Sequence, residues 1–240
     1  MMTMKLRLPA PVSGVLAGVV SLLLLAASAP EAPIADAAER GDRDAVADLL
    51  REGADVNAAQ GDGMTALHWA AYRADLELAE LILASDPVVD ARTRLGNYTP
   101  LHLAARTGNE GVVGALLDAG ADVAALTSTG DVQAIHLAAV AGNAASLERM
   151  LAAGADPNAV ETTWGQTPLV FAASYGRVEA IRSLVAAGAD LAATSSVVDI
   201  GERAMLDRMD RERRNARRQG LPDPYPDGLP TSVSDIISEE

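Results

Sequence analysis

The 240-residue sequence contains no cysteine, a single phenylalanine, two tryptophans and one lysine. Without cysteine there is no disulfide framework, no thiolate nucleophile, no cysteine-ligated zinc and no lipid-modified N-terminal cysteine. Aromatic residues make up 3% of the chain, while Ala, Leu and Val supply most of an apolar fraction of 49%. Small and aliphatic side chains suit closely packed helices better than a sandwich or barrel, which draws on β-branched and aromatic residues. Positive charge is also scarce: 19 basic residues face 33 acidic ones, for a formal net charge of −14. Such a surface repels phosphate backbones, which argues against nucleic-acid binding. The apolar content argues against disorder over most of the length.

The N-terminal region stands apart in composition. Lys5 and Arg7 precede an apolar run from Val12 to Ala27, followed by Ser28, Ala29 and Pro30. A positive lead, an apolar stretch of this length and a small-residue exit read as a signal peptide over 1–29. An uncleaved N-terminal membrane anchor is the alternative, because roughly eighteen apolar residues just span a bilayer. Ala27 and Ala29 have the right size for a cleavage site, but a proline follows directly. Exits after Ser28 or near Ala37 also fit. In each case the remainder is expected to be exported.

Self-similarity organises the chain from Ile34 onward. The tetrapeptides TALH (65–68), TPLH (99–102), QAIH (133–136) and TPLV (167–170) recur every 34 residues. Each is followed by an Ala-Ala pair, at 70–71, 104–105, 138–139 and 172–173. Gly-Ala-Asp recurs at 53–55, 120–122, 154–156 and 188–190. Thr is a natural N-cap, and Pro at the first helical position loses nothing because its missing N–H would be unpaired. Leu101, Ala104 and Ala105 form one apolar face. Val112, Val113, Leu116 and Leu117 then follow at helical spacing, and Gly120 is expected to end that helix in a left-handed conformation. One such helix pair cannot bury its own face; stacked pairs can.

These residues resemble the ankyrin repeat, whose unit is a β-turn finger followed by two antiparallel helices and whose marker reads T-P-L-H-x-A-A. Residues 97–123 follow it most closely. The resemblance covers 34–194 and predicts an all-α repeat solenoid of about five stacked helix–turn–helix units with β-turn fingers, at 34–60, 61–94, 95–127, 128–161 and 162–194. The first unit lacks the tetrapeptide but keeps the paired-helix pattern, as an N-terminal cap should. Residues 195–219 are expected to form a charged C-terminal capping helix. It would offer Val197, Ile200, Ala204 and Met205 to the last unit and pair Asp207 with Arg211 and Asp210 with Arg214. The proline-rich stretch from Gly220 predicts a disordered tail over 220–240.

Three departures from the pattern carry expectations. The second unit replaces Gly-Ala-Asp with Asp86-Pro87-Val88-Val89-Asp90, read as two residues longer, so its helix exit should differ. Asn97 and Asp131 stand where the finger commonly turns on Gly, and both tolerate left-handed geometry. The fourth unit has Gln133 and Ala134 in place of Thr and Pro, which predicts the weakest helix start.

Candidate chemistry is thin. The only histidines, His68, His102 and His136, fall at one position in successive units. Packed helices are about 10 Å apart, too far for one metal to be shared. The resemblance implies hydrogen bonds from these rings to backbone in the neighbouring units. Asp55, Asp122, Asp156 and Asp190 lie in repeat turns, where a carboxylate stabilises the turn. With no free base, no P-loop, no dinucleotide fingerprint and no EF-hand loop, neither catalysis nor a cofactor or metal is expected.

The resemblance places partner binding on finger tips and the exposed side of first helices, a concave face. Here those positions are Asp62, Met64, Tyr72, Arg73, Leu95, Tyr98, Arg106, Asp131, Val132, Trp164, Gln166 and Tyr175. Four of the chain's few aromatics fall among them, and aromatics and Arg dominate binding hot spots. The expected function is a non-catalytic adaptor that binds a protein partner through this face in the bacterial cell envelope, most simply the periplasm. An inhibitor or immunity protein, or an accessory subunit of a periplasmic redox or detoxifying enzyme, is the alternative. The expectation is a monomer with no small-molecule substrate, and membrane contact only if the N-terminal segment is retained. The net −12 of residues 34–194, from 22 acidic residues and 10 arginines, suggests a basic partner.

Overall fold

The computed structural model describes residues 32–195 and 200–224; the side chains of 200–207, 210 and 219 lie outside that description. Among the described residues there are eleven helices and no strand. They run in pairs: α1 (Pro33–Arg40) with α2 (Arg43–Arg51), α3 (Ala66–Tyr72) with α4 (Leu76–Leu83), α5 (Pro100–Thr107) with α6 (Glu110–Asp118), α7 (Ala134–Ala141) with α8 (Ala144–Ala152), and α9 (Pro168–Ser174) with α10 (Val178–Ala186). A longer α11 (Ile200–Gln219) completes the order.

Local chemistry sets these boundaries. Each of Thr65, Thr99 and Thr167 caps a first helix. The second helices start on Asp42, Asp75, Asn109 and Asn143, whose side chains each accept the N–H three residues on at 3.0 Å. These caps satisfy donors that have no partner inside the helix. Gly120 closes α6 at φ +87°, as expected of a residue without a Cβ.

The first helices stack on one another from α1 through α9, and α4, α6, α8 and α10 stack in a second row. Arg43 of α2 joins that row through a two-pronged bond to Asp75, at 2.6 and 3.0 Å, and an ion pair with Glu77. The layers enclose one continuous apolar core, with Ala70, Ala71, Ala104, Ala105, Ala138 and Ala139 fully buried between neighbouring units. Alanine's small volume is what allows the first helices to approach. In the last unit Ala172 is buried but Ala173 is exposed, and among the described residues no further helix pair stacks on α9.

The expected two-residue extension of the second unit is not there. Asp86 takes the place of Gly120, lying as far before Thr93 as Gly120 lies before Thr127. It adopts the left-handed backbone itself, at φ +54°, so the exit keeps its shape with an aspartate bearing the strain. Asn97 and Asp131 also turn as expected, at φ +53° and +49°. At the start of α7, the Gln133 side chain makes no cap bond; what remains is the bond from its own N–H to His136 Nδ1 at 3.2 Å, which the capped units also have. The helix nonetheless spans the same eight residues as α5.

The expected apolar contacts of Val197, Ile200, Ala204 and Met205 and the pairs through Asp207 and Asp210 fall outside the described side chains. Past α11, Leu221 N–H bonds back to Ala216 at 3.0 Å and Asp223 pairs with Arg213 at 2.7 Å. Among the described residues no helix is long and apolar enough to cross a membrane.

Candidate interaction surface

The fingers are built by short backbone ladders. Thr93, Thr127 and Glu161 each donate an N–H across the loop to Tyr98, Val132 and Gln166, at 3.0, 3.1 and 3.1 Å. Inside two loops a threonine hydroxyl holds the turn, accepting from Tyr98 N–H and from Val132 N–H at 3.0 Å each. In the last finger Glu161 takes that place. Its carboxylate is 2% exposed and accepts from the N–H groups of Thr163, Trp164 and Gln166 at 2.7–3.0 Å. Burial pushes this carboxyl up, but the three backbone donors outweigh it and hold the group below its ordinary value.

Neighbouring fingers are tied edge to edge. Arg94 N–H donates to Asp62 at 2.7 Å, Ser128 N–H to Gly96 at 3.0 Å and Thr162 N–H to Gly130 at 2.8 Å. Each histidine fixes a first helix to the next finger along. Its Nδ1 accepts the N–H of Thr65, Thr99 or Gln133 at 3.2 Å. Its Nε2 donates to the carbonyl of Tyr98, Val132 or Ala159 at 3.0–3.1 Å. Both ring nitrogens are therefore engaged in the Nε2–H tautomer. Burial lowers the affinity of all three rings for a proton, against the opposing pull of these carbonyls. The turn aspartates are likewise structural, since Asp55, Asp122, Asp156 and Asp190 each accept the N–H two residues on at 2.8–2.9 Å.

The finger loops and first helices thus form one continuous surface, and the twelve anticipated partner positions divide on it by exposure. Leu95, Tyr175, Tyr72 and Trp164 present large apolar side chains to solvent, at 81, 58, 51 and 45% exposure. Asp62, Arg73 and Arg106 are also exposed, whereas Met64, Tyr98, Asp131, Val132 and Gln166 are half-buried. Several have work inside the scaffold. Tyr98 meets the His102 ring edge-on at 5.9 Å, and Arg73 donates to the Glu39 carbonyl at 3.1 Å, tying the second unit to the first. Asp131 accepts from the Thr162 hydroxyl at 3.2 Å. Arg106 lies over the Tyr72 ring at 5.6 Å, and the same ring meets Trp69 edge-on at 5.7 Å.

Trp69, Gln60 and Arg94 were not anticipated. Trp69 donates to Gln60 at 2.8 Å, and the Gln60 amide donates on to Asp36 and Glu39 at 2.7 and 2.8 Å. Trp69 fills the variable position inside the TALHWAA marker, and Arg94 directly precedes Leu95 at the finger. Both places were legible as free positions of the repeat. Gln60 was not, because its role depends on α1 lying beside the second finger.

Charge is distributed unevenly. The finger and first-helix side carries as many arginines (Arg40, Arg73, Arg92, Arg94, Arg106) as acids (Asp36, Glu39, Asp62, Asp131, Glu161). The negative excess of 34–194 therefore lies on the second helices and the turns, at residues such as Glu77, Glu80, Glu110, Asp118, Glu148 and Glu179.

Among curated proteins none matches the chain. A family model described as ankyrin repeats (3 copies) matches residues 34–127 and 129–205, spanning all five helix pairs. With the helix pairs, the finger ladder and the histidine-to-finger bonds in place, the chain belongs to the ankyrin-repeat family.

Proposed function

We propose that this protein is an exported adaptor that binds a protein partner through its finger and first-helix face, in the bacterial cell envelope. Ankyrin repeats are generally protein–protein interaction modules, and the observation that carries the reading to this face is a contrast in exposure. The backbone of the fingers is fastened by hydrogen bonds within and between units, yet Leu95 and Trp164 on the fingers and Tyr72 and Tyr175 at the ends of first helices are exposed to solvent. Rigidly held aromatic and aliphatic anchors lose little conformational entropy on binding, which is the character of interface hot spots. Export rests on the Lys5/Arg7 lead and the apolar run after it, together with the cysteine-free chain.

The basic partner suggested by net charge does not follow for this face, because the acidic excess lies on the second helices and turns. Capture from an envelope extract on the full-length protein tests the reading. A Leu95→Ala/Trp164→Ala pair is expected to lose the captured partner, while Glu148→Ala on α8 retains it. Partners held equally by the first pair would refute the face. N-terminal sequencing of the protein recovered from the periplasm is expected to begin beyond Ala27; an intact Met1 in a membrane fraction would replace cleavage by a retained anchor.

A further inference from the structure

A positive island sits on the finger side of this acidic molecule. From Ala91 to Asn109 there is no acidic residue, while Arg92, Arg94 and Arg106 all fall within that stretch. All three are exposed. Arg92 spends a donor on the Leu126 carbonyl at 3.2 Å. Among the described residues the guanidiniums of Arg94 and Arg106 enter no ion pair. Arg94 stands beside Leu95 at the finger; Arg106 stands in the last turn of α5, over Tyr72. Two acids of adjoining units border the island: Asp62, whose backbone carbonyl accepts the Arg94 N–H at 2.7 Å, and Asp131 in the unit after. Asp62 accepts the Met64 N–H and Asp131 the Thr162 hydroxyl.

We infer that the middle of the finger face takes an acidic protein segment, with carboxylates on Arg94 and Arg106 and an apolar side chain between them against Leu95 and Tyr72. The inference rests on the finger-face function proposed for this protein and reverses the partner chemistry that the net charge implies. The physical argument is one of range. Screening length in physiological salt is about 8 Å, and packed helix layers are separated by about 8–10 Å. The second-helix acids are therefore largely screened at the finger face, and the local arginines decide the contact. An arginine on an aromatic face keeps its fork of donors directed outward for a carboxylate. Arg94 lies in the finger that precedes α5 and Arg106 in the last turn of that helix, so the two approach the face from its two ends.

The test is selection of random dodecapeptides displayed on phage against immobilised full-length protein, and then affinities for wild type and two variant pairs. Selected peptides are expected to be enriched in Asp or Glu on both sides of an aromatic or aliphatic residue. Their affinity should fall at least tenfold for Arg94→Gln/Arg106→Gln, recover in Arg94→Lys/Arg106→Lys, and also fall for Leu95→Ala/Trp164→Ala. Matched thermal unfolding by circular dichroism excludes misfolding as the cause. Peptides without acidic enrichment, or ones indifferent to the Gln pair yet lost with the Ala pair, overturn the acidic segment and leave the finger face standing. Indifference to both pairs overturns both. A synthetic peptide of residues 225–240 carries four acidic residues and no basic one. If it displaces the selected peptides at equal concentration, the occupant is the chain's own tail, and the external segment is overturned.

Discussion

Individual residues carry the strain and the buried charge of this fold. First helices end on left-handed glycines at 41, 108, 142 and 176, but the second unit places Ala74 there at φ +55°. A Cβ in that conformation costs about 1–2 kcal/mol, of which glycine's greater freedom in the unfolded chain returns part. Ala74→Gly is thus expected to stabilise by about 0.5–1 kcal/mol in urea unfolding; a loss of stability would show that the alanine's packing outweighs its backbone. Glu161 is the opposite case, a buried carboxylate on which three N–H groups depend. Glu161→Gln puts an amide donor among donors and should cost about 1–3 kcal/mol. The pH dependence has a definite sign. The histidines' proton affinity is lowered by burial, so their contribution is complete above the ordinary value near 6.5 and is lost as pH falls below it. Glu161 and Asp75 are held below ordinary carboxylates. In Asp75 burial is outweighed by Arg43 and the Leu78 N–H, so both contributions survive to about pH 4 and are lost below it. The thermal midpoint should therefore decline from pH 7 to 5 and again below 4. A midpoint that is flat from pH 7 to 5 would mean that the rings do not stay neutral in the folded state.

At the scale of the element, each unit is joined to the next by a small number of repeated bonds, and gaps in the repetition stand out. Asn57 accepts the Val88 N–H at 2.7 Å, Asp90 the Asp122 N–H at 3.0 Å, and Asn158 the Asp190 N–H at 2.7 Å. The corresponding position in the third unit is Ala124, which has no acceptor to offer. Ala124→Asn should complete the ladder to Asp156 and add about 0.5–1.5 kcal/mol, read as a raised urea midpoint; no change would show that water already serves that N–H as well. Register and helix pairing were legible from the tetrapeptides and the Ala-Ala pairs, because N-caps and small interface residues act over a few positions. The histidine bonds were legible only through the family resemblance, because their partners, 23–30 residues away, are backbone carbonyls with no side-chain signature. The second unit's exit was not legible, because Asp86 can do what glycine does at that point, and a substitution of that kind looks like an insertion when the marker residues vanish.

On the scale of the whole molecule, contacts run between neighbouring helix pairs, so stability is shared locally and the ends are the weakest places. Hydrogen exchange should be slowest in α5 through α8 and fastest in α9 and α10, where Ala173 faces solvent. Uniform protection across all five pairs would mean that the stack opens only as one unit. The exposure of the anticipated positions was half legible. The free positions of the repeat identified Leu95, Tyr72, Trp164 and Tyr175 correctly as exposed, but could not separate them from Tyr98 and Arg73, whose side chains also serve neighbouring units.

Residue type and the 34-residue period by themselves determined the helix pairs and the absence of cysteine-based chemistry, because each depends on spacing within one unit, while the family was legible through the resemblance of the tetrapeptide and Ala-Ala markers to the ankyrin repeat. What only the tertiary structure decided is where charge and apolar surface end up. A net charge sums over all faces, whereas stacking sends the acidic excess to the second helices and turns and leaves Arg94 and Arg106 beside exposed Leu95 and Tyr72 on the other side. Which residues share a face, and at what separation, is fixed by how units pack on one another.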